Sequence, residues 1–176
     1  MAFLISALFA LHVRCPMAIT GDSIALMVGN EVRAAEPCTQ VGARGGASIT
    51  DKDALARFRV VLATHPKRLV IAFVGLPPKD GRGLTAMKAA LRTMVAETRR
   101  AGVQPVVVLP TSSPVTARET LYQSAITDTL PAWRAWIAAR WRLTLDWTGP
   151  LTFPDTLHPD AAGVAVLTAR TLAYAG

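Results

Sequence analysis

Apolar and polar positions follow one another along the chain in blocks that predict strands, each followed by a helix. A short apolar run at 17–20 ends at Gly21, and apolar residues with helical spacing follow at 24–35. Continuous runs rich in Val, Ile and Leu, at 69–75 and 106–110, are typical of parallel strands that are buried on both faces. The pattern therefore indicates repeated strand–helix units.

The remaining segments continue this alternation. They predict a strand at 39–43, a helix at about 51–63 capped by Thr50 or Asp51, helices at 84–101 and 115–141, the latter interrupted at Pro131, a strand at 142–146 and a final helix at 161–175. Five strands alternating with helices predict an α/β fold, a three-layer α/β/α sandwich around a five-stranded parallel sheet. A single domain is expected over residues 17–176.

Composition agrees with one globular domain and narrows the range of partners. Of the 176 residues, 51% are hydrophobic and 18% are charged, which is typical of a packed protein and not of a disordered chain. The formal net charge of +7 comes from dispersed Lys and Arg residues, so nucleic-acid binding is not predicted. No apolar stretch approaches the roughly 18 residues that a membrane-spanning helix needs, so no transmembrane helix is predicted.

Residues 1–16 stand apart from the predicted domain. They begin with MAFLISALFAL, which is similar to the apolar region of a secretory signal, although no Lys or Arg precedes it and no clear cleavage motif follows. A buried N-terminal extension, or a part of the first strand, is the alternative interpretation of this segment.

Polar residues follow the first predicted strand, at the edge where open parallel sheets bind ligands. Gly21, Asp22 and Ser23 end this strand and lead directly into a helix. Ser23 would then lie at a helix N-terminus, where free backbone N–H groups can stabilise an oxyanion. An ordinary helix N-cap is the alternative role for Ser23, and the tripeptide alone favours it.

A nucleophilic hydroxyl needs a base, and the chain has three histidines. His12 lies in the apolar N-terminal segment, and His65 precedes Pro66 at the opposite edge of the sheet, so both are interpreted as structural. His158 follows the last strand, and Asp155 lies three residues before it. This spacing lets a carboxylate hold one imidazole nitrogen while the other nitrogen faces a nucleophile.

Gly-Asp-Ser after the first strand, together with Asp-x-x-His-Pro before the last helix, resembles the SGNH or GDSL hydrolase family across the whole domain. The resemblance implies a flavodoxin-like α/β/α fold and a serine esterase, lipase or acetylesterase. It implies Ser23 as the nucleophile, His158 as the general base and Asp155 as the residue that orients the imidazole. The implied oxyanion hole is formed by the backbone N–H groups of Ser23 and Gly46, with Gly45 as the alternative glycine.

The third sequence block departs from the family pattern. The family has Gly-x-Asn-Asp after the central strand, and its Asn donates to the oxyanion, whereas Pro77 follows Gly75 here at the Asn position. Proline has no N–H to donate. Loss of one such donor typically costs about 10²–10³ in turnover, so weakened activity is expected. Asp22, Gly75, Lys79 and Arg82 are candidate substrate contacts. Lys79 or Arg82 is a candidate replacement for the lost donor, and the alternative is that both are merely solvated.

The implied activity is the hydrolysis of a small acyl ester through an acyl-serine intermediate. An acetyl group on a carbohydrate is the favoured substrate, and lipid esters remain an alternative. A degenerate domain that binds a carbohydrate or a partner with little or no turnover is the second function, because the third-block Asn is missing. The sequence contains no metal-binding or nucleotide-binding motif, so no metal and no cofactor are predicted.

Cys15 and Cys38 precede Ser23 and Gly46 by eight residues each. If Ser23 and Gly46 lie side by side on adjacent parallel strands, the two cysteines should be neighbours at the opposite edge of the sheet. A disulfide between them is geometrically feasible there. It would agree with export, because disulfides persist mainly in oxidising compartments. A periplasmic or secreted location is accordingly favoured over a cytoplasmic one.

Overall fold

The computed structural model describes residues 14–73, 83–110, 123–141, 144–155 and 158–175, in which five strands alternate with five helices. The strands are β1 (Met17–Gly21), β2 (Gln40–Ala43), β3 (Arg68–Ala72), β4 (Gln104–Leu109) and β5 (Thr144–Asp146). The helices are α1 (Ser23–Ala35), α2 (Ala54–Leu62), α3 (Gly83–Arg100), α4 (Gln123–Arg140) and α5 (Ala161–Ala175).

The five strands form one parallel sheet in the order β2-β1-β3-β4-β5. Successive side chains point to opposite faces of the sheet, so Ile19 and Val70 pack with α1 and α5 on one side. Ala18 and Leu69 pack with residues of α2, α3 and α4 on the other side. The sheet therefore lies between two helical layers, which confirms the predicted fold class and explains why its central strands are apolar throughout.

Two local predictions were wrong. Helix α4 runs through Pro131 without the expected interruption. Proline removes one helical hydrogen bond, but the buried side chains of Trp133 and Ile137 hold the following turns against the core.

Helix α2 begins later than expected, and Asp51 does not cap it. The Asp51 carboxylate instead accepts a hydrogen bond from the backbone N–H of Ser48 at 2.9 Å.

Cys15 and Cys38 are neighbours at the edge where β1 and β2 begin, but the expected disulfide is not formed, since both are free thiols. A hydrogen bond with the Cys15 thiol raises the pKa of Cys38 to about 11. The pairing of Ala18 with Gln40 in adjacent strands explains why the two thiols are close. A disulfide also requires an oxidising environment, whereas the strand register determines only that the two thiols are close.

Of residues 1–16, the structure describes only 14–16, so the signal-like and buried-extension interpretations of this segment both stay predictions. Among the helices of the described ranges, none has the length and the apolar character needed to cross a membrane.

An ion pair with two hydrogen bonds joins helices α2 and α3. The Nε and Nη2 atoms of Arg59 donate to the Glu97 carboxylate at 2.9 and 2.7 Å. The hydrogen bonds from Arg59 lower the pKa of Glu97. A lowered pKa means that the folded state binds a proton less readily than the unfolded state. The ion pair therefore contributes stability above the unfolded-state pKa, and this contribution is lost as the pH falls through the folded-state pKa.

We expect Glu97→Gln to lower the free energy of unfolding at neutral pH. The deficit relative to the wild type should shrink once the pH falls below the ordinary glutamate pKa of about 4.3, because a protonated Glu97 also loses the ionic contact. Urea unfolding at neutral and acidic pH measures both effects. Glu31→Gln removes an exposed carboxylate on α1 and serves as the matched control. A Glu97→Gln deficit that stays constant down to acidic pH would contradict its ionic origin.

Candidate active site

Ser23 is the first residue of α1 and follows a sharp connection from the end of β1. At Gly21 the strands β1 and β3 approach so closely that an added Cβ atom would lie 1.8 Å from the carbonyl oxygen of Ala72. The backbone N–H of Asp22 then donates to this same carbonyl oxygen at 3.2 Å. The connection is thereby fixed to the end of β3, and Ser23 lies at the carboxyl edge of the sheet.

Asp22 has a structural position instead of the substrate-contacting one expected from the sequence. Its side chain is buried, and its Oδ1 atom accepts hydrogen bonds from the N–H groups of Ile24 at 3.1 Å and Ala25 at 3.5 Å. Its carbonyl oxygen accepts the N–H of Leu26 at 2.9 Å. Asp22 is therefore the N-cap of α1, and Ser23 is not. The backbone N–H of Ser23 has no acceptor among the described residues.

His158 lies between Ser23 and Asp155. Its Nε2 atom is 2.8 Å from the Ser23 Oγ, and its Nδ1 atom is 2.6 Å from the Asp155 Oδ2. The other carboxylate oxygen, Oδ1, accepts the backbone N–H of His158 at 2.6 Å. An ionised carboxylate can only accept, so the imidazole proton belongs on Nδ1, and the lone pair of Nε2 is left to accept the serine proton. The three residues singled out from the sequence thus meet in the order that a catalytic triad needs.

The loop that carries His158 is fixed at the point where it enters α5. The backbone N–H of Asp160 donates to the carbonyl oxygen of Thr152 at 2.9 Å and closes the loop. The Oδ1 atom of Asp160 accepts the N–H of Gly163 at 2.7 Å, which caps α5. The sequence analysis missed this residue, although an aspartate directly before a helix is itself a capping signal. Asp160 therefore fixes the start of α5, two residues after His158.

The turn after β2 lies beside the end of β1. The backbone N–H of Arg44 donates to the carbonyl oxygen of Gly21 at 3.2 Å, and the N–H of Ala47 closes the turn onto the Arg44 carbonyl oxygen at 3.3 Å. Gly46 has a φ of +64° within this turn, a conformation that favours glycine. The exposed Gly45 and Gly46 have backbone N–H groups without an acceptor among the described residues. Two amides without a described acceptor thus lie in the segment where the family resemblance implies the second oxyanion donor.

Ion pairs hold the loop that follows this turn. The Arg44 guanidinium contacts the Asp51 carboxylate at 3.1 Å and the Asp53 carboxylate at 2.8 Å. Arg57 contacts the same carboxylate of Asp53 from α2. The sequence analysis did not identify Arg44, because pairs between a turn and a later loop leave no periodic signal along the chain. These contacts connect the turn with the start of α2.

The third sequence block is described only at its start. The indole N–H of the buried Trp133 donates to the carbonyl oxygen of Phe73 at 3.2 Å, which fixes the chain directly after β3. Asn30, the one asparagine of the chain, is exposed on α1 and accepts a hydrogen bond from Arg33 at 3.0 Å. It is therefore no substitute for the third-block donor. The remaining candidates of this block lie outside the described residues; they are Gly75, Pro77, Lys79 and Arg82.

His65 does not belong to this site. His65 lies just before β3 begins, at the opposite edge of the sheet, and has a φ of 49°. His12 lies outside the described residues. Within the described ranges, no group of three or more His, Cys, Asp or Glu residues is arranged to hold a metal ion.

We expect Asp22→Ala to lower the free energy of unfolding by about 1–2 kcal/mol, since it removes a buried helix cap. Asp22→Asn keeps an oxygen that can accept the N–H groups of Ile24 and Ala25, and should retain most of this stability. Urea unfolding of the two variants and the wild type gives the comparison. Wild-type stability in Asp22→Ala would show that the cap does not hold the start of α1.

No protein-family model matches the chain, and no curated protein matches it. Several solved structures nevertheless share its fold. A GDSL-like lipase from Bacteroides thetaiotaomicron is 13% identical and matches with a TM-score of 0.63 over 90% of this chain and 86% of that one. A lipase/acylhydrolase from Enterococcus faecalis is 19% identical, with a TM-score of 0.64 over 90% of this chain and 94% of that one.

A catalytic mutant of an acetylxylan esterase from Geobacillus stearothermophilus is also similar, with 18% identity and a TM-score of 0.60 over 91% of this chain and 93% of that one. These matches cover nearly the whole of each protein, while their sequence identities are low. The matches therefore show that this chain shares the fold of these proteins. The resemblance seen in the sequence motifs is confirmed at this level: the chain has the α/β/α fold of the SGNH/GDSL hydrolases.

Proposed function

We propose that this protein is a serine ester hydrolase in which Ser23 is the nucleophile, His158 the general base and Asp155 the residue that orients the imidazole. The observation that carries the proposal is the 2.8 Å distance between the Ser23 Oγ and the His158 Nε2. A serine hydroxyl is a weak nucleophile until a neighbouring base accepts its proton. The contact of Asp155 with the other imidazole nitrogen, at 2.6 Å, supports the same assignment.

The proposed reaction has two stages. In the first, the Ser23 Oγ bonds to the acyl carbon while its proton moves to the His158 Nε2, and the carbonyl oxygen becomes an oxyanion. His158 then gives this proton to the leaving alcohol, and an acyl-serine remains. In the second stage, water attacks the acyl carbon and gives a proton to His158 Nε2; the bond between the acyl carbon and the Ser23 Oγ then breaks, His158 returns the proton to Oγ, and the carboxylic acid leaves. Asp155 remains ionised throughout and stabilises the imidazolium.

Backbone amides are the proposed oxyanion donors. The open N–H of Ser23 lies at the N-terminus of α1, where the helix dipole provides a partial positive charge. The second donor is the N–H of Gly46, with that of Gly45 as the alternative. The hydrogen bond from Arg44 to Gly21 supports this assignment, because it holds the glycine turn beside the end of β1.

Small acyl esters, with acetyl groups on a carbohydrate as the favoured case, are the proposed substrates. The side chains of Asp155 and His158 are 57% and 31% exposed, so the triad is open to solvent and suits a short acyl group. The Geobacillus neighbour is an acetylxylan esterase and supports this class, whereas the Enterococcus neighbour is a lipase/acylhydrolase and favours lipid esters as the second class.

Pro77 stands at the position of the third-block Asn, and proline cannot donate a hydrogen bond from its nitrogen. We therefore propose a turnover about 10²–10³ lower than that of a site with all three donors. The same feature motivates the second candidate function, a domain that binds a carbohydrate or a partner without turnover. Assays of activity distinguish the two.

We expect Ser23→Ala to reduce the release of p-nitrophenol from p-nitrophenyl acetate to the rate in buffer alone, because it removes the nucleophilic oxygen. The wild type should exceed that rate. Thr93→Ala removes an exposed hydroxyl from α3, away from the triad, and should keep the wild-type rate. A fluorophosphonate probe should label the wild type at Ser23. Equal rates for the wild type and Ser23→Ala would contradict the enzyme proposal. The domain that binds without turnover would then be the remaining candidate function.

We expect Asp155→Asn to lower kcat by on the order of 10³–10⁴ with little change in KM. The Asn side chain can donate to the imidazole Nδ1 and so favour the tautomer that leaves no lone pair on Nε2. Steady-state kinetics with p-nitrophenyl acetate measures both constants. Asp146→Asn replaces an exposed aspartate at the end of β5 and serves as the control. An effect of Asp155→Asn on KM alone would refute the orienting role of Asp155.

A further inference from the structure

The glycine turn after β2 is not held by packing of its own glycines. Gly45 and Gly46 are both exposed. Apart from their chain neighbours, no atom of the described residues would lie within 4 Å of a Cβ atom added at either position. The backbone of glycine is also less restricted than that of any other residue. The positions of these two amides therefore depend on the residues on either side of the turn.

The two sides of the turn are held in different ways. Ala47, at its end, is buried in the domain. The side chain of Arg44, at its start, is 50% exposed. Besides its backbone hydrogen bond to Gly21, Arg44 is held through the polar contacts of its guanidinium group. These contacts therefore complete the attachment of the start of the turn.

One carboxylate contacts both sides of the turn. The Oδ2 atom of Asp51 accepts a hydrogen bond from the Nη2 of Arg44 at 3.1 Å, and it also accepts the backbone N–H of Ser48 at 2.9 Å. Arg44 directly precedes the two glycines, and Ser48 follows them by two residues. The Asp51 carboxylate thus holds the two sides of the turn together.

A second carboxylate connects the turn with helix α2. The Oδ2 atom of Asp53 accepts a hydrogen bond from the Nη1 of Arg44 at 2.8 Å, and another from the Nη1 of Arg57. Helix α2 lies close to β2, since a Cβ atom added at Gly42 would be 3.1 Å from the carbonyl oxygen of Arg57. The turn is therefore joined through Asp53 to a helix that packs on the sheet. We call Arg44, Asp51 and Asp53 the turn clamp.

The turn clamp is too exposed to contribute much to stability. The side chains of Asp51 and Asp53 are 26% and 46% exposed, and ion pairs between exposed groups add little to the free energy of unfolding. Position has a larger effect on a reaction, because a misplacement of about 1 Å can lower its rate by about 10². The contacts therefore matter more for where the glycine amides lie than for whether the domain folds.

We propose that the turn clamp positions the amides of Gly45 and Gly46 for the oxyanion. The inference rests on the proposed esterase function, in which one of these amides is the second oxyanion donor. The members of the turn clamp act through the backbone and are positioning residues. Because Pro77 cannot donate from its nitrogen at the third-block position, a site of this kind depends strongly on its backbone amides.

Removal of the Arg44 side chain tests the proposal. We expect Arg44→Ala to lower kcat for p-nitrophenyl acetate by about ten- to a hundredfold, with little change in KM or in the midpoint of urea unfolding. Arg44→Lys keeps the charge but not the planar fork that contacts two carboxylates, and should restore part of kcat. Arg59→Ala breaks a similarly exposed ion pair between α2 and Glu97 and should retain the wild-type kcat. Equal losses in Arg44→Ala and Arg59→Ala would refute a specific role of the turn clamp.

A double variant tests whether the contacts act as a unit. Asp51→Ala should also lower kcat, and its combination with Arg44→Ala should lose little more than either single variant, since both remove the same attachment. Losses that multiply would show independent roles and would overturn the turn clamp. Asp53→Asn removes only a charge and should lower kcat as a milder, separate variant.

The kinetic constants separate this inference from the proposed function. A wild-type kcat in Arg44→Ala, with an active wild type, would refute the positioning role and leave the esterase proposal intact. A raised KM at unchanged kcat would make Arg44 a substrate contact and would also refute the positioning role. A wild type no faster than Ser23→Ala would refute the esterase proposal, and this inference with it.

Discussion

The contact between Gly21 and the carbonyl group of Ala72 sets the geometry at the end of β1. Only a residue without a side chain fits there, because a Cβ atom would lie 1.8 Å from the carbonyl oxygen. The close approach lets the N–H of Asp22 reach that oxygen, and it sets the direction in which α1 begins. The carbonyl oxygen of Gly21 also accepts the N–H of Arg44. The serine and the glycine turn are therefore both positioned through one residue.

Backbone amides lie at this end of the sheet, and buried side chains hold the chain around them in place. Asp22 accepts hydrogen bonds from the amides of Ile24 and Ala25, and the amide of Ser23 has no acceptor among the residues that the structure describes. Trp133 fixes the carbonyl group of Phe73, where the chain leaves β3. An amide that is held by a packed core needs little reorganisation when charge develops near it. Such a site depends on the fold as a whole more than on any single polar side chain.

The alternation of strands and helices, and the meeting of Ser23, Asp155 and His158, could be predicted from the sequence because each has a local signature. Apolar runs mark strands that are buried on both faces, and two short motifs place Ser23 directly after β1 and Asp155 and His158 in the loop between β5 and α5. The features that were missed depend on contacts between segments that are distant in the sequence or, for the two cysteines, on the redox environment. The Arg44 ion pairs join separate loops, and the course of α4 past Pro131 depends on packing against the core.

The parallel sheet places the triad and the start of the domain at opposite ends of the strands. Strands of five or six residues separate the two ends by roughly 15–20 Å. Anything attached ahead of Arg14, whether a fusion partner or a solid support, is therefore joined at the end remote from Ser23. Attachment through this end would leave the carboxyl edge of the sheet, with Ser23 and His158, facing away from the support.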